Sequence, residues 1–202
     1  LKLLVKVGYY NEDLDQKEFS HIIEHLAFSD ASITQISENL KKQPGVTMKA
    51  LTTNEKTSYN LKIPVNQMNI LHKGLLWFKK IFDLNLTPDN IAREKGIIMQ
   101  EILYRNGNHL DQHYLRMNLF SKLFMCNSSF QNHSNFKDHI KGFSSQSLRN
   151  FYRKWYHPER TALIITGDIG NIDEIEKRIH EQFSDIQAQN NTFFSMEKDC
   201  RK

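Results

Sequence analysis

In the opening stretch LKLLVKVGYY, Leu1, Leu3, Val5 and Val7 fall on one face and Lys2 and Lys6 on the other, the period-two pattern of a half-buried strand. After a polar turn, NEDLDQ, the period lengthens. Apolar residues at 19, 22, 23 and 26 predict a helix over residues 17–28, and a second short helix is predicted over 33–42, ended by QPG. The stretch GVTMKALTTNEKTSYNLKIP reads as two extended segments joined by a polar bend at Asn54-Glu55, with Tyr59, Leu61 and Ile63 alternating against polar neighbours.

Ile70, Leu71, Leu75, Phe78 and Ile81 give residues 66–82 a helical period. The following helix opens at LTPDN, where Thr87 is a cap, Pro88 suits the first helical position and Asp89 favours the positive end of the helix. Further helices are predicted over 109–124, 144–155 and 172–183, with a loop through CNSSFQNHSNFKDH and a short buried strand at TALIITGD. Strands and helices mix without strict βαβ alternation, which predicts an α+β fold with a mostly antiparallel sheet packed with helices. Residues 1–186 read as one domain, and the polar, uneven residues 187–202 as a linker-like tail.

Composition narrows the class. At 202 residues, 39% hydrophobic and 25% charged, the chain suits one globular domain with a real core. The net charge of +4 is spread along the chain rather than blocked, so the sequence gives no indication of a nucleic-acid partner. No apolar run approaches the ~20 residues that cross a bilayer. The chain has no initiator Met and begins directly in strand-like sequence, which reads as a trimmed amino terminus; the compartment stays open between periplasm and cytoplasm for a bacterial protein. Cys126 and Cys200 have neither the spacing of a thiolate zinc site nor that of a disulfide framework.

The chemistry concentrates at HIIEH, residues 21–25. On a helix, i and i+4 lie on one face, so His21 and His25 can bring two imidazole nitrogens to one ion. Catalytic zinc is commonly held by two His and a carboxylate, with a fourth position for water. Glu24 lies at i+3 from His21, nearly on the same face, where it can take a proton from that water. The competing reading is a helix with two surface histidines and a glutamate. What decides between them is a third ligand on a separate element. The helix IAREKGIIMQEIL offers Glu94 and Glu101, two turns apart on one face with Ile98 between them. Carboxylates on a stripe that packs inward are costly unless paired or metal-bound; the alternative is that the stripe faces solvent. A second pair, HLDQH at 109–113, lacks a suitably placed glutamate and reads as an ordinary pair on a helix surface.

H-x-x-E-H is the inverted zinc-peptidase signature. With it, the sequence resembles the pitrilysin-like metallopeptidases, the family of insulin-degrading enzyme and the mitochondrial processing peptidase. Members carry a third ligand Glu about 75 residues downstream and another essential Glu seven residues before it; here 75 residues separate His25 from Glu101, and EKGIIMQE supplies both. VKVGYYNED, GVTMKALTTNEKTSYNLKIP and NFYRKWYHPERTALIITGDI are similar to flanking parts of the family's first domain.

The resemblance implies a zinc-bearing first domain of an endopeptidase that hydrolyses peptides or unfolded segments. In it His21, His25 and Glu101 hold one Zn2+, Glu24 is the base, and Glu94 orients a ligand. It also implies a peptide substrate added as a strand to the edge at residues 48–52, with Lys49 and Ala50 in contact, and a second homologous half, on this or another chain, that completes the active chamber. The alternative it leaves is a non-cleaving peptide-binding or scaffold subunit of the same fold. The sequence departs from the family pattern at four places. Glu18 stands where a glycine is usual, Ile22-Ile23 where Phe-Leu is usual and Lys49 where an Asn is usual, and CNSSFQN replaces a His-Pro-Tyr-like stretch.

Overall fold

In a computed structural model, the structure describes residues 1–65, 67–106, 140 and 142–188. Among them are four strands, β1 (Lys2–Val5), β2 (Thr47–Thr52), β3 (Thr57–Lys62) and β4 (Thr161–Ile164). They form one antiparallel sheet in the order β2-β3-β1-β4. Six helices accompany it: α1 (Phe19–Ser29), α2 (Thr34–Lys41), α3 (Met68–Lys80), α4 (Pro88–Asn106), α5 (Ser145–Trp155) and α6 (Ile172–Phe183). The fold is α+β with an antiparallel sheet, as the mixed patterning predicts. The helix predicted over 109–124, the pair at 109–113 and most of the polar tail lie outside the described residues.

One face of the sheet carries the core. Leu3, Val5, Thr57, Tyr59 and Leu61 are buried there, and register places Ala50 beside Tyr59 and Thr52 beside Thr57 on the same face. The predicted burial of the strand at TALIITGD fails on this point. Burial alternates along β4, so one face covers the core, while Ala162 and Ile164 lie on the other and Ile164 is 40% exposed. Helix α3 crosses close to the sheet at Gly74, where any Cβ would collide with the Leu61 side chain. The Trp77 indole on α3 donates to the carbonyl of Ala27, tying that helix to α1.

Helix α1 sits between the sheet and the other helices, touching β2, β3, α2, α4 and α5. Seven of its eleven residues are buried, including His21, so it is a core helix rather than a surface amphipath. Its first free N–H groups are not capped by an adjacent side chain. The buried Glu12 carboxylate accepts from the N–H of Glu18 (2.9 Å) and of Ser20 (2.8 Å) instead.

Its carboxyl end is fixed to the start of α4. Asp30 is fully buried and accepts from the N–H of Asn85 (3.3 Å), of Leu86 (3.0 Å) and of Ser32 (3.0 Å), and from the Ser32 hydroxyl (2.6 Å). Burial works to raise its pKa, but these hydrogen bonds prevail and hold it below the usual carboxylate value. Leu86 has φ +48°, a conformation its side chain disfavours; the Asp30 contact to its N–H and the Arg149 contact to its carbonyl (3.1 Å) hold it there. One residue further on, the Thr87 hydroxyl caps α4 by accepting from Asn90 N–H at 3.2 Å, and Pro88 takes the first helical position. Asp30 therefore sets where α4 begins relative to α1. Asp30→Ala strands the buried N–H of Leu86, removes the bonds to Asn85 and Ser32, and is expected to cost about 2–4 kcal/mol in urea unfolding; a loss below about 0.5 kcal/mol would contradict this role.

Candidate metal centre

The site forms where α1 runs beside α4. His21 and His25 are one turn apart on α1, with ring centroids 4.9 Å apart and planes at 89°. Each ring is held at one nitrogen. His21 Nδ1 lies 2.9 Å from Glu18 Oε2, and His25 Nδ1 lies 3.3 Å from Glu94 Oε2. The two Nε2 atoms converge on one carboxylate oxygen, Glu101 Oε2, at 3.5 Å from His21 and 3.3 Å from His25. Among the described residues, His21, His25 and Glu101 form a cluster whose three donor atoms all lie within 4.8 Å of one another. Two imidazole nitrogens and a carboxylate oxygen are a donor set that suits zinc, and three protein donors leave a fourth position open.

The seven-residue spacing on α4 placed Glu94 and Glu101 on one face, and that face packs inward. Glu94 and Ile98 are 2% and 0% exposed, so the solvated-stripe alternative does not hold. The two carboxylates nevertheless meet different nitrogens. Glu94 accepts from the Ser29 hydroxyl at 2.6 Å and from Arg93 Nε at 3.3 Å, as well as facing His25 Nδ1. Burial works to raise the pKa of Glu94, but the bonds from His25 and Ser29 outweigh it and the net shift is downward. For His25, burial works to lower the pKa; the Glu94 hydrogen bond and the charges of Glu101, Glu94 and Glu24 outweigh it, and the net shift is upward. The ring is thus held by carboxylates at both nitrogens.

Glu24 is half-buried on the same turn of α1, and its Oε2 accepts from the Thr52 hydroxyl at 2.5 Å. Thr52 ends β2, so the strand fixes the carboxylate beside the two imidazoles. Ala50 lies on the same face of β2 as Thr52, towards α1, whereas the Lys49 side chain is exposed on the opposite face. β2 is the edge of the sheet, and its outer side has no strand partner among the described residues.

Sequence reasoning did not find Glu18, Thr52, Ser29 or Glu12. Glu18 and Ser29 were legible as neighbours at i−3 from His21 and i+4 from His25, and Thr52 as the residue two along from Ala50. Nothing in the local sequence marks Glu12, whose bonds span the 3-10 turn Leu14–Gln16.

The family model described as Insulinase (Peptidase family M16) matches residues 1–135. The chain belongs to this peptidase family. A second model, the Peptidase M16 inactive domain, matches residues 142–199. The chain is 27% identical over 202 residues to a "Zinc protease PQQL-like" of Arabidopsis thaliana, covering 93% of this chain and 20% of that protein. It is 29% identical over 182 residues to the "Probable zinc protease PqqL" of Haemophilus influenzae, covering 84% of this chain and 19% of that protein. Its fold is similar to the crystal structure of the periplasmic protease PqqL from Escherichia coli, with a TM-score of 0.71 at 20% identity, covering 95% of this chain and 22% of that one. The chain therefore spans about one fifth of the length of these M16 relatives. Among the described residues no helix is long and apolar enough to cross a membrane.

Proposed function

We propose that this chain is the zinc-bearing domain of an M16 endopeptidase that hydrolyses peptides or unfolded segments. The observation that carries the reading is the convergence of His21 Nε2, His25 Nε2 and Glu101 Oε2, with Glu24 on the same turn as the histidines. In this reading those three residues hold one zinc ion, and Glu94 fixes the His25 ring by accepting from Nδ1. Bound zinc would supply a Lewis acid for the peptide carbonyl and lower the pKa of water at the open position. Glu24 accepts the proton of the attacking water and delivers it to the leaving amine, while the Thr52 hydroxyl holds the carboxylate in place. A peptide adds as a strand along β2, using the main chain of Lys49 and Ala50, which gives affinity with little demand on sequence. The chain's short span of its relatives supports a second homologous domain or chain that completes the chamber.

The test is metal analysis of the complete protein. The wild type is expected to hold one zinc per copy of this domain, and Glu101→Ala to lose it while staying folded. Zinc retained at full stoichiometry in that variant would sink the ligand assignment. Cleavage of an unstructured peptide, with and without a candidate second half, then separates a working peptidase from a peptide-holding subunit.

A further inference from the structure

Glu18 combines two features that the proposed chemistry does not explain. It has φ +70° and ψ 8°, the left-handed region, and is one of two non-glycine residues with positive φ among those described. It also occupies the cap position of α1, where Ser, Thr, Asp or Asn with extended backbone is the usual solution, yet its side chain makes no cap hydrogen bond. Instead the carboxylate of this buried residue, 7% exposed as a whole, reaches one turn forward to His21 Nδ1 at 2.9 Å.

The unfavourable conformation is held from outside. The Glu18 N–H donates to the buried Glu12 carboxylate at 2.9 Å, and its carbonyl accepts the N–H of Ile22 at 2.8 Å in the first turn of the helix. A glycine would take this backbone without penalty. A side chain here therefore has to be accounted for by what its carboxylate does, and that carboxylate meets a histidine.

We propose that Glu18 is a positioning residue that selects the metal-binding tautomer of His21. This inference rests on the zinc reading above. A carboxylate oxygen beside a ring nitrogen can only accept, and the shorter contact is the one to Glu18, at 2.9 Å from Nδ1 against 3.5 Å from Nε2 to Glu101, so Nδ1 carries the hydrogen and Nε2 is left for the ion. The same contact fixes the rotation of the ring. Glu94 does this for His25, so each histidine ligand has its own carboxylate: one delivered by the distant helix α4, the other by the residue that starts α1. With both rings fixed, the two Nε2 atoms stay aimed at one point without an ion to hold them there.

The experiment uses the complete protein, with Zn2+ itself as probe. Its affinity is measured by competition with a chromophoric chelator for the wild type, Glu18→Gln and Glu18→Gly, together with 15N imidazole spectra of the metal-free proteins at pH 8. The wild type is expected to show His21 protonated at Nδ1 and bare at Nε2. Glu18→Gly is expected to bind zinc about 10–100-fold more weakly and to return His21 to the Nε2-protonated form that free imidazole side chains favour. Glu18→Gln keeps the side-chain size and one acceptor oxygen, and is expected to fall between the two. Thermal midpoints of the metal-free variants show whether a loss of affinity is merely a loss of fold. Because Gln is isosteric and the tautomer is read in the wild type, the result does not depend on Glu18→Gly folding. A wild type that binds zinc but whose metal-free form has His21 protonated at Nε2, or equal affinity in all three proteins, overturns the role of Glu18 and leaves the zinc site standing. A folded wild type that binds no zinc overturns the zinc reading and this inference with it.

Discussion

Replacing Glu24 by Gln is expected to leave a folded protein that binds zinc as the wild type does and hydrolyses peptide about 10²–10⁴-fold more slowly. In the proposed reading Glu24 is not a ligand: the three donors that cluster are His21, His25 and Glu101. The amide of Gln is isosteric and can still accept from the Thr52 hydroxyl, which lies 2.5 Å from Glu24 Oε2, so the local packing survives. What is lost is the capacity to take up a proton. The decrease should appear in kcat and kcat/KM together, because proton transfer is a property of the transition state. Zinc content and thermal midpoint are measured alongside. Unchanged hydrolysis with unchanged zinc would remove Glu24 from the mechanism, whereas loss of zinc would make it a ligand. Thr52→Val serves as a graded companion, since it frees the carboxylate from the strand without altering its charge.

The second large effect concerns pH and stability, and it comes from Glu12. Burial, with the Glu18 carboxylate as the next contribution, pushes the Glu12 pKa up to about 8 from an ordinary 4.5; the Ser20 N–H and the Lys17 charge oppose the shift without cancelling it. A carboxyl raised in the folded state holds its proton there after the unfolded chain has released its own. Stability is therefore expected to fall as pH climbs from about 4.5 to about 8 and to level off above, with this one group contributing at most about 5 kcal/mol.

Other shifted groups near the site behave differently. Asp30 and Glu94 have lowered pKa values, so their contributions are present above the ordinary carboxylate value and lost as pH falls below it. The raised pKa of His25 also favours the folded state at lower pH, and its contribution is lost as pH rises from the ordinary 6.5 through the higher folded value. Comparison with Glu12→Gln, in the presence of a chelator, isolates Glu12. The variant is expected to be less stable at pH 4.5, because its amide opposes one of the two N–H groups at the start of α1, and to gain on the wild type steadily up to pH 8. Parallel urea-derived profiles for the two proteins would show that Glu12 does not titrate in this range.

Much of the site was legible because its parts are local. The separations of His21, Glu24 and His25 on one helix are set by 3.6 residues per turn, and so is the shared face of Glu94 and Glu101. Helix α6 spans the residues its periodicity predicts, and α5 begins one residue after its predicted start because Ser144 serves as the cap, accepting from Ser147 N–H at 3.1 Å. Helix α1 begins at Phe19, two residues after its predicted start at 17, because the preceding turn is stopped by the left-handed Glu18 and the Glu12 carboxylate. A period of apolar residues carries no information about either.

What the sequence by itself determined is the content of each element and the chemistry each carries: a helix with two imidazoles and a carboxylate, a helix with two carboxylates on one face, and an extended pair joined just after Thr52. The tertiary structure decided how they meet. The packing of α1 against α4, fixed at one end by Asp30, puts Glu101 between the two Nε2 atoms and Glu94 behind one ring. The order of the sheet leaves β2 at the edge and brings Thr52 to Glu24. The turn before α1 holds Glu18 at positive φ against His21. Distances within a helix follow from covalent geometry and backbone hydrogen bonding, whereas distances between elements follow from how the whole core fills space, and the latter cannot be read from any one stretch of the chain.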